Sequence, residues 1–515
     1  MRLTHRYGKF ILSGVGASFD AGSTWELSAD GYVTSDYKAA AGFSHVADER
    51  AAKVLERAFV KRYREPAEPL PPFLDPHQRD GVRWILTRSR SYLAHAPGAG
   101  KSCQAIVAGL YATNVGPVVL VTPPSLTTNW VREIELWAPQ VGDRLWHSIA
   151  VITDSARQAT VGWRADFLVV PDSMLTKPWV LDRLEALTPR LLAVDEASRF
   201  KEASAQRTRA LFGGQLADGR KAKGLVYAAK HAVLLDGSPM PNRAMELWAP
   251  TYAMSPESID FMSQQDFGFR YCGASMNDRG QWEFKHTTRE EELRTRLRKD
   301  FMHVVTEAEL SHPERKRTML FMTKDVRSPV HRAWEKKHLG SFNFDAIGEN
   351  ASQGNLATFR RELGVNKMPW AARYIAERLD EKGESILVFA WHREVVVGLA
   401  GLLEKYKPGI VLGGTPEEAR EQHFAAFQAG ATRLLIMNIL AGGRGHNLQR
   451  ADRAIFVEWG WNDETNTQCE KRAARKGRDK DLPVRCEYVV APGSMDEPIL
   501  QAVFRKAAAV KKVVG

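Results

Sequence analysis

The chain has 515 residues, 44% of them hydrophobic and 26% charged, with a formal net charge of +11 and a pI near 9.4. That length exceeds one ordinary core, so two or three domains are expected, and the basic excess points to a polyanionic partner, nucleic acid first. Four scattered cysteines (Cys103, Cys272, Cys469, Cys486) form no CxxC pair. With no signal-like start and no apolar run of about 18 residues, the expectation is a reduced protein without membrane span, zinc site or disulfide framework. The expected location is the cytoplasm of a bacterial or phage-infected cell, with the nucleus left open.

In chain order, residues 1–72 read as a small accessory module. Lys9–Val15 and Trp25–Tyr37 are strand-like around an Asp30-Gly31 turn, Ala47–Arg64 is helix-like, and Pro66, Pro69, Pro71 and Pro72 make a linker. Trp25, Tyr32 and Tyr37 fit either a small core or a stacking platform for unpaired bases. Residues 73–255 alternate helices with apolar runs: Tyr92–Ala94, Val118–Val121, Phe167–Val170, Leu191–Val194 and Ala232–Leu235. Such runs predict a parallel sheet covered on both faces. Residues 256–365 lose the alternation and are expected to form a helical insertion and linker, with Glu290–Arg298 as one amphipathic helix. Alternation returns over 366–515 at Ser385–Ala390, Leu434–Met437, Ala454–Val457 and Tyr488–Ala491. The fold class is therefore α/β, with two parallel-sheet lobes.

Chemistry concentrates in two stretches of the first lobe. Pro97-Gly98-Ala99-Gly100-Lys101-Ser102 joins a strand to a helix. A glycine turn there aims backbone N–H groups and the helix dipole at one point and suits phosphate. Lys101 then reaches the β- and γ-phosphates and the Ser102 hydroxyl ligates Mg²⁺. Asp195 ends the run Leu191–Val194 and can hold Mg²⁺ through water, while Glu196 orients or deprotonates an attacking water. ATP and Mg²⁺ are the expected cofactors, and the second lobe has no such loop of its own.

The order of further motifs over about 73–510 resembles superfamily-two helicases, in particular the Swi/Snf-like DNA translocases and their annealing-helicase, fork-remodelling branch. The resemblance implies two RecA-like lobes forming a helicase motor. Leu74–Val82 resembles a motif in which Gln78, helped by Arg79, reads adenine with its amide. Val121–Leu126 with Asn129-Trp130 resembles the first DNA-backbone motif, bringing in Pro123 and Ser125. Leu234–Pro239 with Asn242 resembles the motif coupling hydrolysis to DNA, with Gly237 and Ser238. Phe267–Cys272 resembles a segment of the annealing branch. In the second lobe, Val388–His392 resembles that lobe's first motif. Asn438–Leu448, with Gly443, Gly445 and Asn447, resembles the fifth, and Gln468–Gly477 the sixth. In the sixth the family places two arginines at i and i+3 on one helical face; Arg472 and Arg475 have that spacing, suited to phosphoryl charge.

Several positions depart from the family pattern. Ser198 stands where histidine is usual, His95-Ala96 where an acidic pair is usual, Asp236 where a small polar residue is usual, and Arg478 where glutamine is usual; Pro97 and Ser102 replace methionine and threonine. No catalytic group is lost, so an active ATPase is expected. Trp130, Trp137 and Trp461 are expected to pack rather than stack on bases, and His392 to be structural or backbone-contacting rather than a metal ligand. The basic stretch Arg315–Lys337 fits a solvated face or a phosphate-contacting one. The expected partner is DNA, as duplex, fork or single-strand junction, with single-strand-binding or replication proteins as further candidates and a monomer favoured. Three outputs remain open at this level: annealing or remodelling of branched DNA, strand separation in replication, and a recruitment factor whose grip on DNA matters more than its motion.

Overall fold

Short runs of branched and aromatic apolar residues build the sheets, and the larger two belong to separate units, Met1–Val305 with Lys512–Gly515, and Thr306–Lys511. The computed structural model describes residues 2–6, 9–13, 26–28, 31–34, 46–48, 51, 66, 69–113, 116–142, 147–154, 162–240, 243–277, 280–284, 286–310, 313–341, 354–442, 448–461, 463–474 and 482–514.

The N-terminal module is a four-stranded antiparallel sheet in the order β1-β2-β4-β3, built from β1 (Arg2–Arg6), β2 (Lys9–Ser13), β3 (Glu26–Ser28) and β4 (Gly31–Thr34). Leu3, Phe10 and Leu12 are buried beneath it. β1 carries no run that marked it in advance. Ser28 pairs with Gly31 across the antiparallel hairpin β3–β4, so the chain reverses at the expected Asp30-Gly31 position, with Gly31 as the first residue of β4. Of the expected helix over Ala47–Arg64 the structure describes Ala47, Asp48 and Ala51: Ala47 bridges to Leu3, and the Ala51 amide donates to Oδ1 of Asp48 at 2.8 Å. The rest of it and the side chains of Trp25, Tyr32 and Tyr37 lie outside the described residues.

The first large sheet has seven parallel strands: β5 (Arg90–His95), β6 (Val118–Thr122), β7 (Ile149–Val151), β8 (Phe167–Pro171), β9 (Leu191–Asp195), β12 (His231–Asp236) and β15 (Met302–Val305). Their order is β15-β5-β12-β9-β6-β8-β7. β12 thus lies between β5 and β9, with Asp236 level with Ala94 and Leu235 level with Asp195. The loops leaving these strands therefore emerge side by side, where ligands bind in open parallel sheets. Two ribbons decorate the unit, β10 (Gly214–Gln215) with β11 (Lys221–Ala222) and β13 (Ala274–Met276) with β14 (Trp282–Phe284).

The second large sheet has six parallel strands: β16 (Arg315–Phe321), β17 (Ile386–Ala390), β18 (Gly409–Val411), β19 (Leu434–Asn438), β20 (Arg453–Phe456) and β21 (Val484–Val490), in the order β16-β21-β20-β17-β19-β18. Alternate residues feed opposite cores. Ile386, Val388, Leu434 and Ile436 join one cluster; Leu387, Phe389, Leu435 and Met437 join the other. Both faces are covered, which is why these strands read as continuous apolar runs.

The segment 256–365 is helical, as expected, but contributes strands as well. It holds helices, among them Glu290–Asp300 with Leu293 and Leu297 buried. It also supplies β15 to the first sheet and β16 to the second. β16 is an edge strand that opens with three basic residues, Arg315-Lys316-Arg317, and carries its apolar residues only at Met319-Leu320-Phe321, so no longer apolar run announced it.

Candidate functional site

The helix Lys101–Tyr111 starts where Gly98 and Gly100 take positive φ, 90° and 74°. No side chain caps this helix, so its first N–H groups face the loop Ala96–Gly100. A Cβ at Gly100 would lie 2.1 Å from Nε2 of Gln78. The positive φ favours glycine there, and any side chain would also displace the Gln78 amide. Lys101 donates from Nζ to the His95 carbonyl at 2.7 Å. His95 is fully buried, its ring 2.8 Å from that of His303; burial and the charges of His303, Lys101 and His77 hold it down to about 2, so it stays neutral. A neutral imidazole packed in the core occupies the position of the family's acidic pair. The Ala99 carbonyl accepts from Gln78 Nε2 at 3.3 Å and from Gln104 Nε2 at 2.9 Å. Oε1 of Gln78 accepts from the Asp75 amide at 2.9 Å, and Arg79 donates to the Pro72 carbonyl. Gln78 thus fastens the start of its helix, Pro76–Leu86, to the phosphate-binding loop.

Asp195 and Glu196 close β9. Burial raises the Asp195 carboxyl above its usual range, while a hydrogen bond from Trp130 and the charge of Lys101 pull against that rise. The Trp130 indole donates from Nε1 to Oδ2 of Asp195 at 2.8 Å, and the Glu196 amide donates to Oδ1 at 3.0 Å. Glu196 itself is left-handed, φ 51° and ψ 51°, a strained state of about 1–3 kcal/mol for a non-glycine residue. Trp130 was expected only to pack. It does, with 1% exposure, but it also orients a carboxylate through an indole donor, and no sequence pattern reports such a bond across 65 positions. It stands in the first turn of the helix Thr127–Trp137, directly after the loop holding buried Pro123 and exposed Ser125.

Asp236 explains two departures from the family pattern together. It is 1% exposed; Oδ2 accepts from the Ser198 amide at 2.6 Å and Oδ1 from the Ser238 amide at 2.7 Å. The carboxylate ties the segment after Glu196 to the segment carrying Gly237 and Ser238. A Cβ at Gly237 would lie 2.9 Å from Pro97, so that segment also packs on the phosphate-binding loop. Lys101, Ser102, Asp195 and Glu196 are thereby gathered at one end of one sheet. Hydroxyl and carboxylate oxygens beside an ammonium and a positive-φ loop suit a nucleotide phosphate with a hard divalent cation.

In the second unit, the helix Asp463–Glu470 ends before the first of the paired arginines. Arg472 lies in the turn that follows, 5% exposed, rather than on a helical face. Arg475, Gly443, Gly445 and Asn447 lie outside the described residues, as do Asn242 and Arg478. Glu470 is buried and accepts from Arg317 at 2.8 and 2.9 Å, from the Tyr488 hydroxyl at 2.7 Å, and from Arg315. Arg317 also reaches Asp463 at 2.7 Å and Thr467 at 2.6 Å. Arg315 and Arg317 are therefore neither a solvated face nor a phosphate-contacting one, whereas Lys336 and Lys337 are exposed. His392 is structural in the expected way: Nδ1 lies 2.6 Å from Glu458, which also accepts the Trp391 and His392 amides. Among the described residues no His, Cys, Asp and Glu cluster forms a metal centre, all four cysteines are free and buried, and no helix is long and apolar enough to cross a membrane.

The SNF2-related domain family matches residues 77–328, and the helicase conserved C-terminal domain family matches residues 367–477. The chain is 27% identical over 451 residues to the SWI/SNF-related matrix-associated actin-dependent regulator of chromatin subfamily A-like protein 1 of Xenopus tropicalis, covering 86% of this chain and 44% of that one. It is 27% identical over 447 residues to the human DNA annealing helicase and endonuclease ZRANB3, covering 84% of this chain and 39% of that one. The Sulfolobus solfataricus SWI2/SNF2 ATPase core in complex with dsDNA is 20% identical, with a TM-score of 0.39 over 88% of this chain and 94% of that one. The chain spans less than half the length of the curated relatives it matches.

Proposed function

From a chain that belongs to the Swi/Snf-like motors of helicase superfamily two, we propose a DNA-stimulated ATPase that tracks along duplex, forked or branched DNA and serves strand annealing or fork remodelling. One observation carries the reading: Lys101, Ser102, Asp195 and Glu196 meet beside a segment, Gly237-Ser238, that Asp236 fastens to them. A site of that kind links phosphate chemistry to a neighbouring grip on DNA.

In this reading Lys101 leaves the His95 carbonyl to neutralise phosphate charge. Ser102 and Asp195 would hold Mg²⁺, which would supply neutralisation of phosphate charge. Glu196 positions the attacking water and receives its proton. Gln78 and Arg79 take the base, with Pro97, Gly98, Ala99 and Gly100 shaping the phosphate cradle and Gly443 and Gly445 contributing from the second lobe. Arg472 and Arg475 stabilise the charge that builds on the transferred phosphoryl group. Pro123, Ser125, Gly237, Ser238 and Asn447 hold the DNA backbone. Most contact is to phosphate, so binding is sequence-tolerant.

Steady-state ATP hydrolysis, alone and with single-stranded, duplex and forked DNA, tests this. Strong stimulation by duplex or fork is expected. Stimulation mainly by single strands would favour strand separation, and an ATPase indifferent to all three would sink the DNA-motor reading.

A further inference from the structure

We propose that the first unit carries a second nucleic-acid site: a pocket beside the ribbon β13–β14 that takes one unpaired nucleotide of a DNA junction. The proposal rests on the DNA-motor reading above and adds a substrate feature to it.

The pocket encloses about 490 Å³, within the range of small-ligand sites. Trp282 and Phe284 of β14 form its aromatic wall, Gln264 and Gln265 open the helix Gln264–Tyr271 at its rim, and Lys201 and Arg243 line it from loops, together with the carboxylates Glu202 and Glu246. Those loops matter for location. Lys201 follows Asp195 and Arg243 follows Asp236, so both belong to the end of the sheet where the phosphate-binding loop and the Pro123–Leu126 segment emerge. Arg243 also fixes the ribbon by donating to the Phe284 carbonyl at 3.3 Å, and Lys201 is held by Glu246 at 2.7 Å.

The ribbon's apolar surface is unusual for a solvated hairpin. Trp282 is 45% exposed, Met276 opposite it 59%, and Phe269 43%. Phe269 meets Trp282 edge to face at 4.8 Å and Phe284 at 5.5 Å, which sets the orientation of the wall. Aromatic faces recognise any base by stacking, primary amides match base edges with paired donors and acceptors, and cations meet phosphate. Among the described residues two cations, Lys201 and Arg243, and two carboxylates, Glu202 and Glu246, line the pocket, and Lys201 pairs with Glu246. So balanced a lining suits a single nucleotide rather than the run of phosphates on a duplex. A base within duplex DNA has no free face to offer; an unpaired base at a fork does.

The test compares Trp282→Ala with the wild-type chain by fluorescence anisotropy on three labelled DNAs: a blunt duplex, a fork with unpaired arms, and an oligothymidine. Stacking of one base predicts roughly tenfold weaker binding of fork and single strand, with the blunt duplex changed less than about twofold. Trp282→Phe, which keeps an aromatic face, should recover most of the loss. As a second measurement, 5-iododeoxyuridine in the fork arm should photocross-link to the peptide containing Trp282. Unchanged fork affinity in Trp282→Ala, an equal loss on blunt duplex, or a Trp282→Phe as weak as the alanine variant would each overturn the site. A pocket built for a protein segment gives the first of these results. Wild-type protein that binds none of the DNAs would instead remove the motor reading on which the site rests.

Discussion

Three side chains around the Asp195 carboxylate divide the work of the site, and each can be removed separately. Glu196→Gln keeps the shape but cannot accept a proton. ATP binding should persist while turnover falls by about 10²–10⁴-fold, as expected for loss of a general base; surviving turnover would falsify the role. Trp130→Phe keeps the packed ring and deletes one donor to a charged oxygen, a bond worth about 1.5–3 kcal/mol. The Mg²⁺ concentration for half-maximal binding of fluorescent ADP should rise about tenfold, and an unmoved midpoint would leave Trp130 a packing residue only. Asp236→Asn keeps the volume but weakens two charge-assisted bonds to backbone amides. Its expected signature is a drop in the ratio of DNA-stimulated to basal ATP hydrolysis of several fold; a variant with the wild-type ratio would show that the tie does not couple the two segments.

At the scale of elements, the edge strand β16 and the helix Asp463–Glu470 are joined through buried charge. Glu470 faces Arg315 and Arg317, and Glu307 faces Lys471 and Arg315. Burial would push the Glu307 carboxyl up, but the charges of Lys471 and Arg315 win and hold it at about 2. Glu470 is lowered in the same sense, burial being overcome by Arg317 and Arg315. Carboxyls depressed below an unfolded value of 4.5 stabilise the fold fully above that pH and lose the contribution as pH falls toward about 2. Circular dichroism of the full chain should therefore show acid unfolding concentrated in that window. Glu470→Gln leaves two buried guanidinium groups short of a counter-charge. It should cost about 3–5 kcal/mol in chemical denaturation at pH 7, and a loss under about 1 kcal/mol would mean that the cluster is solvated in solution.

For the whole molecule, a net charge of +11 matters through phosphate neutralisation and counterion release. About five phosphate contacts would weaken duplex binding by roughly 500-fold between 50 and 200 mM salt. A salt-independent affinity would place the basic excess elsewhere than on DNA. The curated relatives are more than twice as long as the stretch they share with this chain.

What the chain discloses by itself follows from how local each signal is. Buried parallel strands must be apolar on both faces, and a phosphate loop must place glycines, lysine and a hydroxyl at fixed spacing. The core strands of both sheets and the loop at Pro97–Ser102 were therefore readable without coordinates. Edge strands are not uniform in this way: β7, β15 and β18 are too brief and β16 opens with three basic residues, and their membership of a sheet is settled only by pairing. The same holds for side chains that meet across long separations. Trp130 and Asp195 are 65 positions apart and Arg317 and Glu470 are 153 apart; nothing in either neighbourhood encodes the partner. Asp236 and Ser198 looked like two unrelated departures until strand order set β12 beside β9 and put one carboxylate within reach of the other residue's amide. Local chemistry is written into the order of residues, whereas partnership across the fold arises only when packing brings distant segments within bonding distance.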